Sequence, residues 1–313
     1  MAEAIALIGC KGKTQEADTL AVLAAAMPEE RIVPFRLMDD AERGAARVAI
    51  VANPDPAEVA ALPSLVWVQS LWAGVERLVN AFDRPLPIVR LVDREMARTM
   101  AEAVLAWTYY LQRDMPAYAR QQRAGLWRSH PYRKPADTQV GLLGLGALGV
   151  AAADRLRGAG FRVSGWSRSP KAVPGIEAVH GIEALPAMLA RCDILVCLMP
   201  LTPETRGLVN AERLAALKPG AALINFARGP IVVTADLIAA LDRGHLAHAV
   251  LDVFEVEPLP AESPLWAHPG VTVLPHVSGP TDMPSAAATV AANLRAFRRT
   301  GQPPQGIDNA RGY

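Results

Sequence analysis

Gly144-Leu145-Gly146-Ala147-Leu148-Gly149 has the spacing G-x-G-x-x-G, and the chemistry it offers is the binding of a dinucleotide pyrophosphate. The first glycine permits a tight turn, the second lets the backbone approach the phosphates, and the third lets helix and strand pack closely. Ala147 and Leu148 open the helix whose free N–H groups and positive dipole end face the ligand. The second strand after the loop ends in Trp166-Ser167-Arg168-Ser169, with Lys171 close by and no Asp or Glu. An acid at that point would hold a ribose 2′-hydroxyl. A guanidinium flanked by two hydroxyls instead suits a 2′-phosphate, through charge-assisted bidentate bonds. Arg168 lies 19 positions past the last glycine, where that contact is expected. The expected cofactor is NADP(H) in preference to NAD(H), held by Gly144, Gly146, Ala147, Leu148, Gly149, Ser167, Arg168 and Ser169.

Three further ionisable residues stand at the ends of late apolar runs: Arg228 in Asn225-Phe226-Ala227-Arg228-Gly229, Glu257 in the segment Asp252 to Pro258, and His276 in Pro275-His276-Val277-Ser278-Gly279. In open α/β sheets ligands bind at the carboxyl ends of strands, which puts all three beside the expected nicotinamide. Singly, each has an ordinary reading: a surface arginine, a loop acid before proline, a core histidine.

The elements that must position these residues alternate between short apolar runs and helical stretches, the pattern of an α/β protein with parallel sheets. The first series has strands at 4–10, 48–51, 65–70 and 88–92. A long helix of about 100–118 follows, then an Arg-, His- and Pro-rich loop at 125–135. The second series has six strands, at 140–143, 162–166, 194–198, 222–226, 249–251 and 271–274, with helices at 148–159, 182–191, 211–217 and 235–243. That is a complete doubly wound sheet. A last helix, about 285–300, has no strand of its own and is expected to pack back on the first series. The expected organisation is discontinuous: residues 1–101 with 284–313 form a flavodoxin-like substrate domain, and residues 102–283 form an inserted Rossmann domain.

Composition sets outer limits. Hydrophobic residues are 51% and charged residues 20%, which excludes a disordered or coiled-coil chain. Lys+Arg 32 against Asp+Glu 31 gives no basic footprint for nucleic acid or a membrane surface. Three scattered cysteines, a start without a basic n-region, and no membrane-length apolar run point to a cytoplasmic protein. Cys192 and Cys197 read as core thiols on a strand. His245 and His248 lack companions for a metal set and read as solvent-exposed strand entry, so no metal is expected.

Taken together, the sequence resembles the D-isomer-specific 2-hydroxyacid dehydrogenase family over essentially its whole length. The motifs are Gly144-Leu145-Gly146, the segment Leu198-Met199-Pro200-Leu201-Thr202-Pro203-Glu204-Thr205, the segments 225–229 and 252–258, and Pro275-His276. The 19-residue spacing from Glu257 to His276 is also similar. Within the family the resemblance is closest to the glyoxylate/hydroxypyruvate reductase A group, through Trp166-Ser167-Arg168, the run 259–266 and Ala310-Arg311-Gly312-Tyr313.

This resemblance implies the roles. Arg228 would grip the carboxylate and keto oxygen of a 2-keto acid. His276 would donate the proton as hydride arrives, and Glu257 would orient the imidazole. Pro200, Thr205, Ala227 and Asp252 would join the cofactor site. Trp72, Ala73 and Gly74 would form the turn that binds the substrate carboxylate. Trp72 replaces a smaller residue there, and either pocket lining or core packing accounts for it. Small 2-keto acids are the expected partners, and a homodimer is implied, with Trp127 a candidate subunit contact. A dehydrogenase for another D-2-hydroxy acid, of the D-lactate or phosphoglycerate type, and a non-catalytic dinucleotide-sensing protein on the same fold remain open alternatives.

Overall fold

The computed structural model describes residues 3–10, 12–79, 81–82 and 86–308, so the motif Ala310–Tyr313 lies outside the described residues. Contacts divide the chain into two units, Met1–Met96 with Thr281–Tyr313, and Ala97–Pro280.

The first unit is built on five parallel strands: β1 (Ala4–Ile8), β2 (Arg31–Pro34), β3 (Val48–Val51), β4 (Trp67–Ser70) and β5 (Ile88–Val89). Their order is β2-β1-β3-β4-β5, the flavodoxin-like arrangement. β1, β3 and β4 are buried along their whole length; β1 and β3 appear in the sequence as unbroken apolar runs, whereas β4 ends in the buried polar pair Gln69-Ser70. β2 gives no such run. Arg31-Ile32-Val33-Pro34 is an edge strand, only half-buried, with a charge at one end. The last helix, Met283–Thr300, lays Ala287, Val290, Ala291, Leu294 and Phe297 into one core with Ile5, Leu7, Ile50 and Trp67. Its start is fixed by the Asp282 carboxylate, which accepts the Ser285 amide at 2.9 Å, and its end by Gly301 at φ 68°.

The second unit carries seven parallel strands, one more than the sequence suggests. They are β6 (Gln139–Leu143), β7 (Arg162–Ser167), β8 (Glu177–His180), β9 (Ile194–Cys197), β10 (Ala221–Asn225), β11 (Leu246–Leu251) and β12 (Val271–Val273), ordered β12-β11-β10-β9-β6-β7-β8. The unforeseen strand is β8, whose Glu177-Ala178-Val179-His180 sits half-exposed at the sheet edge and shows no apolar run. With β8 in place the order is that of a Rossmann sheet, with its switch point between β6 and β9. Successive strand residues go to opposite faces: Leu143, Leu195, Leu223 and Leu251 pack in one core cluster, and Leu142, Val196, Ile224 and Val250 in another.

The single long helix expected near 100–118 is in fact two, Arg94–Gln112 and Met115–Arg123. It starts early because the Asp93 carboxylate accepts the amides of Glu95 and Met96 at 3.3 and 3.2 Å. It breaks at Asp114, which adopts a left-handed φ of 54°, and Pro116 opens the next helix, where its missing N–H costs no bond. No helix among the described residues is long and apolar enough to cross a membrane.

Candidate active site

The glycine loop follows β6, and each of its glycines meets a different local demand. Gly144 has φ 109°, and a Cβ there would lie 2.8–2.9 Å from the backbone of Leu198 and Met199. At Gly149 a Cβ would stand 1.9 Å from the Gly144 carbonyl oxygen, so only glycine lets the helix approach the loop. Gly146 caps the helix Ala147–Gly158, and a Cβ on it would meet no protein atom within 4 Å. The helix start, with its undonated first-turn amides, therefore opens onto free space of the kind a pyrophosphate needs. These residues fit a dinucleotide. Next to the loop, Ser167 Oγ donates to the Ser169 carbonyl at 2.8 Å, shaping the turn that carries Arg168, and Lys171 Nζ donates to Leu145 O at 2.9 Å. Pro200 and Thr205 share one turn after β9: the Thr205 hydroxyl accepts the Thr202 amide at 2.7 Å and donates to the Pro200 carbonyl at 2.8 Å.

At the other half of this sheet, Arg228 follows β10 in a turn built by Asn225. The buried Asn225 side chain accepts the Ala227 amide at 3.2 Å and donates to the Arg228 carbonyl at 3.1 Å. Gly229 closes that turn against the segment after β11; a Cβ there would overlap the Phe254 carbonyl carbon at 1.9 Å. Sequence reasoning missed Asn225 as a positioning residue. The available signal was a buried amide ending an apolar strand, where only a local hydrogen-bonding task accounts for it.

Glu257 and His276 meet directly. Glu257 Oε1 accepts the Phe254 amide at 2.9 Å, and Oε2 faces His276 Nδ1 at 2.8 Å. A carboxylate only accepts, so Nδ1 is the donor and Nε2 is the nitrogen left to act outward. His276 has φ 56°, a left-handed conformation uncommon for a side-chain-bearing residue. The next two amides explain how it is held: Val277 N and Ser278 N donate to the two Asp252 carboxylate oxygens at 2.7 and 2.9 Å. Asp252 is 1% exposed, whereas the His276 side chain is 52% exposed. Asp252, which the resemblance places at the cofactor, thus has both oxygens engaged by the loop that carries His276.

In the first unit, the turn Trp72-Ala73-Gly74 follows β4. Ser70 Oγ accepts the Trp72 amide at 3.0 Å, and the Trp72 carbonyl accepts the Leu91 amide at 3.0 Å. Trp72 is half-buried and packs against the core that holds Trp67, Leu71 and Val89.

Two other readings are resolved by burial. His248 is not a solvent-exposed residue: it is buried in β11 with Nε2 on Thr272 Oγ1 at 2.8 Å, and that burial, with Arg120 and His268 nearby, pushes its pKa down to about 4. Cys192 and Cys197 are buried free thiols, pushed up to about 12 by the loss of water around them, which removes them as nucleophiles. Among the described residues no three His, Cys, Asp or Glu side chains group as a metal set.

Comparison with known proteins adds three findings. A family model described as the NAD binding domain of D-isomer specific 2-hydroxyacid dehydrogenase matches residues 105–278. A glyoxylate/hydroxypyruvate reductase A from Serratia proteamaculans (strain 568) is 37% identical over 297 residues, covering 93% of this chain and 94% of that one. Two solved structures cover the whole of this chain and are covered whole by it. One is a D-isomer specific 2-hydroxyacid dehydrogenase from Xanthobacter autotrophicus Py2 in complex with NADPH and MES, at TM-score 0.93 and 43% identity. The other is an NADPH-dependent glyoxylate/hydroxypyruvate reductase from Sinorhizobium meliloti in complex with NADP and sulfate, at TM-score 0.90 and 34% identity.

Proposed function

The chain belongs to the D-isomer specific 2-hydroxyacid dehydrogenase family, and from that premise we propose that it reduces small 2-keto acids with NADPH, glyoxylate to glycolate and hydroxypyruvate to glycerate. The observation that carries this reading is the Glu257–His276 pair at the carboxyl edge of the same sheet whose glycine loop opens onto free space. NADPH, when bound, supplies the hydride. Gly144, Gly146, Ala147, Leu148 and Gly149 hold its pyrophosphate; Ser167, Arg168 and Ser169 hold its 2′-phosphate. Pro200, Thr205 and Ala227 border the rest of it.

The chain's own part is binding, orientation and proton supply. Arg228 grips the keto acid and stabilises negative charge as it develops on the carbonyl oxygen. His276 gives its Nε2 proton to that oxygen, the Nδ1 bond to Glu257 keeping the ring in one orientation. Asp252 acts one step back, by holding the backbone that presents the ring. The turn Trp72-Ala73-Gly74 offers backbone N–H groups to the substrate carboxylate. On this reading residues 1–101 with 284–313 form the substrate domain, and 102–283 the NADP domain. The protein works in the cytoplasm as a homodimer. What supports the dimer is the segment after the helix Met115–Arg123, where Leu126, Trp127 and Tyr132 are exposed and Trp127 is 101% so.

The test is NADPH consumption with glyoxylate and hydroxypyruvate, followed at the nicotinamide absorbance. Arg168→Ala should weaken NADPH by roughly 10- to 150-fold, the worth of a charged hydrogen bond, and leave NADH nearly unchanged. Equal losses for both cofactors overturn the assignment, and no turnover with either keto acid overturns the activity.

A further inference from the structure

Two segments of the second unit close on the glycine loop from opposite sides. On one side the Gly144 amide donates to Trp166 O at 2.9 Å, and Lys171 Nζ reaches Leu145 O at 2.9 Å, so the stretch around Arg168 folds over the loop. On the other side is the end of β9, near enough that a Cβ on Gly144 would touch the Leu198–Met199 backbone. The turn that follows, Thr202-Pro203-Glu204-Thr205, is fixed by the Thr205 hydroxyl and by the amides of Thr205 and Arg206, which donate to Thr202 O at 3.1 and 3.0 Å. This turn holds an exposed carboxylate, Glu204, after β9, and Arg168 directly follows β7; these two strands flank β6 and its glycine loop on either side. The Thr202 hydroxyl donates to that carboxylate and the Arg168 guanidinium attracts it, and both pull its pKa below the ordinary value. No role assigned so far uses Glu204.

We propose that Glu204 is a counter-charge to Arg168 that lowers the protein's affinity for a 2′-phosphorylated adenosine, so that two opposed side chains set the strength of NADPH binding. The inference rests on the reading of Arg168 as the 2′-phosphate ligand. A phosphate monoester carries about −1.5 to −2 charge at neutral pH. On arrival it meets a guanidinium already within the field of a carboxylate, and that carboxylate repels it. For charges in contact with water the effect is a factor of about two to five in affinity. The gain is in release: the oxidised cofactor carries the same 2′-phosphate, and a weaker grip lets it leave.

The experiment is calorimetric titration of the full chain with 2′,5′-ADP and with 5′-AMP, two probes that differ only in the ribose phosphate. Glu204→Gln should tighten 2′,5′-ADP by about two- to fivefold and leave 5′-AMP unchanged. Glu204→Lys should tighten 2′,5′-ADP further, and both gains should shrink as ionic strength rises. Equal shifts for the two probes, or weaker binding of 2′,5′-ADP, would make Glu204 a turn residue only and overturn the proposal. If wild type prefers 2′,5′-ADP but neither variant changes that preference, the counter-charge role falls and the NADPH reading stands. If wild type binds the two probes equally, the NADPH reading falls and takes this inference with it.

Discussion

Replacing Asp252 with Asn separates two roles that one carboxylate has been given. In the structure its two oxygens accept the amides of Val277 and Ser278 at 2.7 and 2.9 Å, inside a site where Asp252 is 1% exposed. An asparagine keeps one acceptor and turns an NH₂ group toward the second amide. One charge-assisted bond is lost, about 1.5–3 kcal/mol, and a buried donor is left facing a donor, about 1–3 kcal/mol more. Relaxation returns part of this, so we expect a loss of about 3 kcal/mol. For a unit the size of Ala97–Pro280 that lowers the melting temperature by roughly 6–12 °C. The loop so released carries His276 at φ 56°, a backbone state that costs a side-chain-bearing residue about 1–2 kcal/mol. Without its anchor the ring drifts from Glu257, and kcat should fall on the order of 10²-fold, as for misplacement by about an ångström. The assay is a melting curve beside kcat and KM for NADPH and glyoxylate. An unchanged melting temperature, with the loss confined to KM for NADPH, would refute the anchoring argument and return Asp252 to a direct cofactor contact.

The other expected outcomes are narrower. His276→Ala should lower kcat by roughly 10²- to 10⁴-fold with NADPH affinity nearly unchanged, and near-normal turnover removes it from the acid role. Trp72→Ala should cost about 2 kcal/mol, half the value for a fully buried indole, and leave the ranking of glyoxylate, hydroxypyruvate and phenylpyruvate as it was. A changed ranking in kcat/KM would assign the indole to the pocket. His248 gives a pH dependence: its folded pKa of about 4 lies below the free value of 6.5, so the unfolded chain takes up the proton first as pH falls. Its contribution is complete above pH 6.5 and declines by about 3 kcal/mol on the way to pH 4. Denaturant midpoints across that range measure the slope, and a His248→Gln variant with the wild-type slope contradicts the assignment.

What could be read from the sequence was what repeats or is chemically singular. β3 is legible to the residue because Val48–Val51 is buried on both faces and bounded by turn residues. The glycine loop is legible because close backbone approaches exclude a side chain at Gly144 and Gly149, and because Gly146 keeps the helix start open. The edge strands β2 and β8 escape because half-exposure breaks up the apolar run that marks a strand. The helix break at Asp114 escapes because a left-handed Asp followed by Met115-Pro116 leaves the apolar spacing nearly intact. The positioning partners of Asn225 and Asp252 are backbone amides and carbonyls, which carry no residue identity, so the sequence offers at most the signal of a polar residue ending an apolar strand. His248 fails for the opposite reason: its neighbour Ala247 is exposed, and only the strand's alternation turns the imidazole inward.

The closing helix bears on how the protein is made. Ile5, Leu7, Ile50 and Trp67 are synthesised well before the side chains from Ala287 to Phe297 that pack on them. The first sheet therefore waits with one apolar face covered only in part, by Leu23 and Met27, while the whole of Ala97–Pro280 is added. That inner segment has both ends of its own sheet in hand before then, so the usual N-to-C order of domain folding is reversed: the middle matures first and the beginning last. That half-covered face is the nascent chain's aggregation hazard, and a stop before the closing helix Met283–Thr300 would leave the hazard permanent.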